Sequence, residues 1–404
     1  MKIRSITYFC NLQYPLDGQV VRRAGEFLSA ARLACEAAGY EVQSTRLAGT
    51  PFASLLSAGG GHWADLPRYA RDVEALTRQA GIQNASLGPA LPEWPLSYQV
   101  IPEALAATQD IFFGGVMADR RRGLDVAAAR LCAGVIVRAA PLDPNGFANL
   151  RFAALANVPP GAPFFPAAYH GGDRPAFALA IEAADLAVEA FSGAASVEEA
   201  RLLLVSRIER HGQALSRLLS RDLPGAEFLG LDFSLAPFPD ERISLGTAFE
   251  RLGVPAAGLH GSLAAAAILT EAIGRAAFPR TGFCGLMLPV LEDATLAQRA
   301  AQGTLTVKDL LLYSAVCGTG LDTLPLPGDT TAGQILPLLL DMAALALRLD
   351  KPLTARLMPV PGKRPGEPTR FDFGYFANSR VMALDAGDLS APLANDQSFE
   401  LRSR

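Results

Sequence analysis

Three stretches of the sequence carry side chains that could do chemistry. The most unusual is AVCGTGLDTLPLPGDT, Ala315–Thr330. Cys317 follows a helical pattern, Gly318 and Gly320 flank Thr319, and Asp322 and Asp329 lie downstream. Glycines let successive N–H groups converge on an anion, and a thiol beside such a nest has its thiolate favoured. The plain alternative is a helix end with a buried, inert cysteine, since a free Cys often behaves as a small hydrophobe. The second stretch is FFPAAYHGGD, Phe164–Asp173, where His170 follows Tyr169 and precedes two glycines. A loop histidine there can act as acid, base or ligand, or simply be structural. Glu182 and Asp185 follow with the i, i+3 spacing that shares one face of a helix. The third stretch is GLDFSLAPFPD, where Asp232 interrupts an apolar strand pattern. A carboxylate in that setting must be paired, hydrogen-bonded or metal-bound, or sit at a strand end.

Common signatures are missing. The chain has no phosphate-binding P-loop, no dinucleotide fingerprint after its first strand, no H-E-x-x-H and no G-x-S-x-G. Its lysines are Lys2, Lys308, Lys351 and Lys363, none at an obvious apolar strand end, which disfavours Schiff-base chemistry. Gly59–Gly61 before His62 lacks a phosphate-binding context and reads as a flexible loop. The cysteines (Cys10, Cys35, Cys132, Cys284, Cys317) are odd in number and widely spaced, against a disulfide framework or a C-x-x-C zinc site.

Composition sets the frame for these residues. The chain has 404 residues, 50% hydrophobic and 19% charged, with a net charge of −4. That excludes general disorder and gives no basic footprint for nucleic acid or an anionic membrane. The N-terminus lacks a signal-peptide pattern, and the uncharged runs 153–172 and 252–270 are broken by proline or glycine, so a cytoplasmic location is expected. A mean hydropathy of +0.21 suggests apolar surface to hide, with a homodimer as the default assembly.

Periodicity supplies the elements. Strands are expected at 2–9, 41–47, 82–87, 111–117, 147–157, 226–235, 283–290, 353–360 and 376–383. Helices are expected at 19–38, 65–80, 125–139, 177–191, 196–220 and 331–349, with shorter ones between. The run 158–175, rich in proline and aromatics, reads as a loop. Such alternation predicts an α/β fold with a parallel or mixed sheet covered by helices. No repeat or linker divides residues 1–385, which read as one domain, and the polar tail 386–404 is expected to fray.

The strings RSITYFCN, NLRFAALANVPPGAPFFPAAYH, LDFSLAP, GFCGLMLPVLED and LLLYSAVCGTGLDTLPLPGDT resemble domain of unknown function 711, also called the PFL-like family after pyruvate formate-lyase. The resemblance runs from Lys2 to about Leu384. It implies a closed ten-stranded α/β barrel, built from two five-stranded halves, with an inserted loop carrying Cys317. Glycyl radical chemistry is not expected. The segment Arg370-Phe371-Asp372-Phe373-Gly374-Tyr375 departs from the Arg-Val-x-Gly-aromatic motif, and Gly374 reads as a turn residue.

The expectation is therefore an enzyme acting on a small polar or anionic metabolite inside a barrel. Cys317, Asp322 and His170 would be catalytic. Gly318, Thr319, Gly320, Tyr169, Asn157 and Asn378 would contact substrate. Asp232, Asp329 and Glu182 would hold a divalent metal ion such as Mg²⁺, Mn²⁺ or Zn²⁺. The alternative is a non-catalytic metabolite-binding or regulatory protein on the same fold.

Overall fold

The structure is a computed structural model that describes residues 1–223 and 225–403. Its strands are β1 (Lys2–Phe9), β2 (Thr45–Ala48), β3 (Asn84–Ala90), β4 (Ile111–Asp119), β5 (Gly123–Asp125), β6 (Phe152–Ala156), β7 (Ala176–Glu182), β8 (Glu227–Ala236), β9 (Gly320–Pro327), β10 (Leu353–Val360) and β11 (Ser398–Phe399). They form one mixed sheet in the order β8-β7-β1-β2-β3-β4-β6-β10-β9, with β5 and β11 added beside β4. β1, β2, β3, β4 and β6 run parallel. β7–β8 on one side and β10–β9 on the other are parallel pairs, each antiparallel to that central block.

The expected closed barrel is corrected: the sheet is not closed. The segment between Arg280 and Val290, expected as a strand, touches both outer strands through isolated bridges, Arg280 to Leu231 of β8 and Pro289 to Asp322 of β9. No ladder forms along it. Two glycines and a proline in 282–289 interrupt regular pairing.

Two element assignments also change. The expected helix 177–191 is β7 followed by the helix Ala184–Ser192. In AFALAIE, Phe177, Leu179 and Ile181 join the main core while Ala176 and Ala178 face the other side, a two-residue period that makes a strand. Glu182 and Asp185 therefore do not share a helix face. The expected loop around Asp322 is β9. Its Pro325 and Pro327 are tolerated because β9 ends the sheet and pairs regularly only with β10. The expected strand 376–383 is irregular, with a single bridge from Arg380 to Pro368.

The two faces of the sheet are filled differently. Helices cover one face: Tyr8 of β1 meets Phe27 of the helix Gly18–Ala37, and the largest apolar cluster runs from Ile3 to Met382. The other face receives the loop after β6. Phe164 and Ala167 pack with Val116, Ala153, Leu155 and Ala236, while Phe165 and Ala168 pack with Phe9, Ala48, Ala176 and Ala178. Ser86 donates to the Ala168 carbonyl at 2.6 Å. The inserted loop is thus the proline- and aromatic-rich one, not the one carrying Cys317. The polar tail, expected to fray, returns to the sheet: β11 pairs with β5, and Val126 N–H donates to the Gln397 carbonyl at 2.9 Å. Among the described residues, no helix is long and apolar enough to cross a membrane.

Candidate functional site: an arginine-lined cavity

A cavity of ≈ 290 Å³ opens beside the inserted loop, against the first residues of β2 and β3 and the last turn of β7. Phe164 and Phe165 form part of its wall. Arg4, Arg46, Arg356 and Glu292 line it, from β1, β2, β10 and the turn after Val290. Tyr375 lines it too and is 41% exposed, so it stands at the opening, with Phe373 beside it.

Behind the wall runs a chain of ion pairs. Glu182 lies 3.8 Å from Arg4, and Arg4 pairs closely with Glu292. Glu292 accepts from Arg356 at 2.8 Å, and Arg356 donates from Nε to Asp322 at 2.5 Å. Gln43 adds a donor to Glu182 at 2.7 Å. All three carboxylates are buried, and burial favours the neutral acid. For Glu292, Arg4 and Arg356 outweigh burial and hold its pKa below the ordinary value. For Glu182 and Asp322 burial wins, and both pKa values are raised; at Asp322 the nearby Glu292 charge adds to the rise. Burial works against the Arg356 charge as well, but Asp322 and Glu292 overcome it and raise its pKa.

Arg46 stands apart. Among the described residues no carboxylate pairs with it. Its Nε donates to Ser44 Oγ at 3.1 Å, and its guanidinium lies 5.1 Å from the Phe165 ring centre. Burial, with help from the like charges of Arg4 and Arg356, pushes its pKa down to about 9. What surface it exposes faces the cavity. Asn84 pairs in register with it across β2 and β3, and also lines the cavity.

The sequence-derived candidates are distributed unevenly around this site. Asp322 and Glu182 join the ion-pair chain, one step behind the cavity wall. Cys317 is 1% exposed and belongs to the main apolar core, outside the cavity lining. The N–H groups of its loop are already used: Cys317 N–H donates to the Tyr313 carbonyl at 2.7 Å and Gly318 N–H to the Leu286 carbonyl at 3.0 Å. Thr319 Oγ1 also donates to the Leu286 carbonyl, and Lys351 Nζ caps the carbonyls of Ser314 and Cys317. Gly320, at φ +95°, begins β9 where a side chain would strike Thr354.

His170 is 4% exposed and lines a separate hollow with Gly171, Gly172 and Arg174. Burial lowers its pKa. Tyr169 donates to the Val158 carbonyl at 2.8 Å, and Asn157, at φ +57°, ends β6. Asn378 holds its own loop, accepting from Phe371 N–H at 2.7 Å. Asp232 accepts from the N–H groups of Phe283 and Cys284, both at 3.0 Å, and so fixes the Gly282–Gly285 turn. Asp329 is exposed after β9. Asp232, Asp329 and Glu182 therefore do not converge, and no group of three or more His, Cys, Asp or Glu suited to a metal is found among the described residues.

Comparison with known proteins adds the family. A family model described as uncharacterised ACR, DUF711, matches residues 1–378. The chain belongs to the DUF711 family. A UPF0210 protein of Pyrobaculum arsenaticum is 34% identical over 301 residues, covering 72% of this chain and 65% of that protein. One from Pyrobaculum islandicum is 30% identical over 366 residues, covering 86% and 80% respectively, and one from Acetivibrio thermocellus is 33% identical, covering 70% and 65%. The aligned part of this chain thus spans just under two thirds of the first of these relatives. Among solved structures, a cellobiohydrolase mutant in its closed form is matched over 53% of this chain and 59% of its own, at 14% identity and a TM-score of 0.24.

Within this DUF711 chain the arginines are the cavity-lining side chains that sequence reasoning missed. Arg4 and Arg46 sit in short strand patterns and Arg356 in an apolar one, so each breaks its pattern as Asp232 does. A charged residue inside an apolar strand was the signal, and it applied to Arg356 in LTARLMPV as much as to Asp232.

Proposed function

We propose that this DUF711 protein binds a small anionic metabolite in the arginine-lined cavity and acts on it as an enzyme. The observation that carries the reading is Arg46, a partly buried guanidinium on the wall of a cavity with no salt-bridge partner among the described residues. A buried charge is costly unless it is paired, so an arrangement that leaves one unpaired beside a cavity suits an incoming anion. Glu292 stands on the same wall, held through both carboxylate oxygens by Arg4 and Arg356. Glu182 and Asp322 set the arginines from behind.

Thermal denaturation with inorganic phosphate and with small carboxylates tests the reading. A ligand at 100 times its dissociation constant stabilises by about 2.7 kcal/mol, a readable shift. The shift is expected in the natural protein and absent in Arg46→Met. No shift with any of these anions, or an equal shift in the variant, overturns it.

A second reading, a non-catalytic binding protein on the same cavity, is favoured by one observation: Cys317 and His170 both lie outside the cavity lining. Glu292→Gln separates the two, since retained binding with turnover abolished supports the enzyme. Residues 1–385 as one domain, a cytoplasmic location and a homodimer complete the proposal. The dimer rests on the low charge fraction and positive mean hydropathy, and sedimentation of the purified protein tests it.

A further inference from the structure

We infer that the anion taken by this cavity is a small monocarboxylate with an apolar body, held by the in-register pair Arg46 and Asn84. The inference rests on the anion-binding reading above and narrows it to one substrate class.

The polar end of the cavity is built for one carboxylate. β2 and β3 place Arg46 directly opposite Asn84, and neighbouring strands lie about 4.8 Å apart. Arg46 lines the cavity and spends its Nε on Ser44, which leaves the planar fork of its two terminal nitrogens without a hydrogen-bond partner among the described residues. Such a fork matches the two oxygens of a carboxylate. Its ring partner, Phe165, holds the guanidinium plane from below. Among the described residues the Asn84 side-chain amide has no hydrogen-bond partner, unlike Gln83 beside it, whose Oε1 accepts from Thr45. Asn84 can therefore donate to the same carboxylate from the neighbouring strand.

The pairing pattern leaves one lining cation without a salt bridge. Arg4 and Arg356 are already engaged by Glu182, Glu292 and Asp322. Among the described residues that leaves Arg46 as the lining arginine without a salt bridge, although Glu292 also acts on its charge. Glu292, ionised on the cavity wall, would repel a second carboxylate or the second charge of a phosphate. The rest of the wall takes an apolar body: Phe112, Phe164, Met287, Phe373 and Tyr375 line it. The volume of ≈ 290 Å³ lies at the small end of the roughly 300–1,000 Å³ usual for ligand pockets.

Isothermal titration of the full chain with benzoate, isovalerate, succinate and inorganic phosphate tests this. Benzoate or isovalerate is expected to bind at least tenfold more tightly than succinate or phosphate. Asn84→Ala, whose amide holds no other group, is expected to weaken it about tenfold, and Arg46→Gln more. Unchanged circular dichroism shows that each variant folds. Phosphate or succinate binding best, with the same dependence on Arg46, overturns the monocarboxylate assignment and leaves the anion site standing. Benzoate or isovalerate binding undisturbed in both variants overturns the placement. No binding of any of the four overturns this inference together with the reading beneath it.

Discussion

Replacing Arg356 by Met removes the centre of the buried ion-pair chain, and its cost should depend on pH in a definite direction. Arg356 and Asp322 are 5% and 1% exposed. Glu292 keeps Arg4 as a partner in the variant, but Asp322 loses the one side chain that pairs with it. Breaking a buried pair from one side costs about 3–5 kcal/mol, because the remaining charge has neither water nor partner. The lost contact of the guanidinium with the Phe164 ring, 5.5 Å away, adds about 1 kcal/mol that does not titrate.

Asp322 escapes its penalty by taking a proton. Its pKa is already raised in the natural protein, so the folded state holds that proton more tightly than the unfolded chain. Stability from this group is therefore present below the unfolded carboxylate pKa and lost as pH rises through the folded one. Removing Arg356 raises the folded pKa of Asp322 further and widens that window. It also removes one of the cations that depress Glu292, so stability normally present at neutral pH is lost there too. Both effects have the same sign. Of the total, about 2–4 kcal/mol should disappear on acidification. Urea denaturation at pH 4.5 and pH 7.5 measures the difference, with an unchanged slope showing that the unfolded state is the same. A destabilisation that is equal at the two pH values, or larger at pH 4.5, refutes the reasoning.

Three further perturbations follow from the same geometry. Arg46→Met removes a partly buried cation that no salt bridge holds, so without ligand it should change the stability of the fold by no more than about 1 kcal/mol while abolishing anion binding; thermal denaturation in an anion-free buffer reads the first effect, and a variant destabilised by more than that contradicts it. Cys317→Ala deletes one buried heavy atom from a packed core and should cost about 1 kcal/mol with anion binding intact; rapid labelling of Cys317 by a thiol reagent in the native protein would count against this. Gly318→Ala puts a Cβ 2.7 Å from Gly285 Cα and 2.9 Å from its nitrogen, backbone atoms that cannot rotate away. It should cost about 3 kcal/mol or more, read as a fall in the urea midpoint.

The α/β class was legible because apolar periodicity is local. β1, β4, β8 and β10 lie within one or two residues of the expected strands. β7 was misread although AFALAIE alternates alanine with large apolar residues, a pattern that only a strand sorts onto two faces. Closure was not legible at all, since it depends on whether the segment 280–290 pairs along both edges. The candidate site was half legible. Asp322 stood out as a carboxylate in the glycine loop after Cys317, and Glu182 through a helical spacing with Asp185 that the strand β7 removes; both lie in the ion-pair chain. Arg4, Arg46, Glu292 and Arg356 are 42, 246 and 64 residues apart in sequence, so no motif spacing could link them. Cys317 and its glycines stood out for a reason that the backbone explains: Gly318 and Gly285 cross at contact distance, and glycine is required there for packing.

The inserted loop explains why the cavity lies where it does. Parallel strands usually present ligands at their carboxyl ends. Here β7 and β8 run opposite to the central block, so the cavity meets the last turn of β7 and the first residues of β2 and β3 together. The opposite end, beyond the carboxyl end of β6, is where the loop enters and fills the face with Phe164, Phe165 and their alanine neighbours. Those two rings do more than fill space. Phe165 lies under Arg46 and Phe164 under Arg356. The loop therefore walls the cavity to a volume fit for a small molecule and at the same time sets an aromatic ring under two of the three arginines that line it. The four prolines in VPPGAPFFPAA limit how far that loop can shift. The rigidity of a segment without regular secondary structure is thus what gives the arginine-lined cavity its shape.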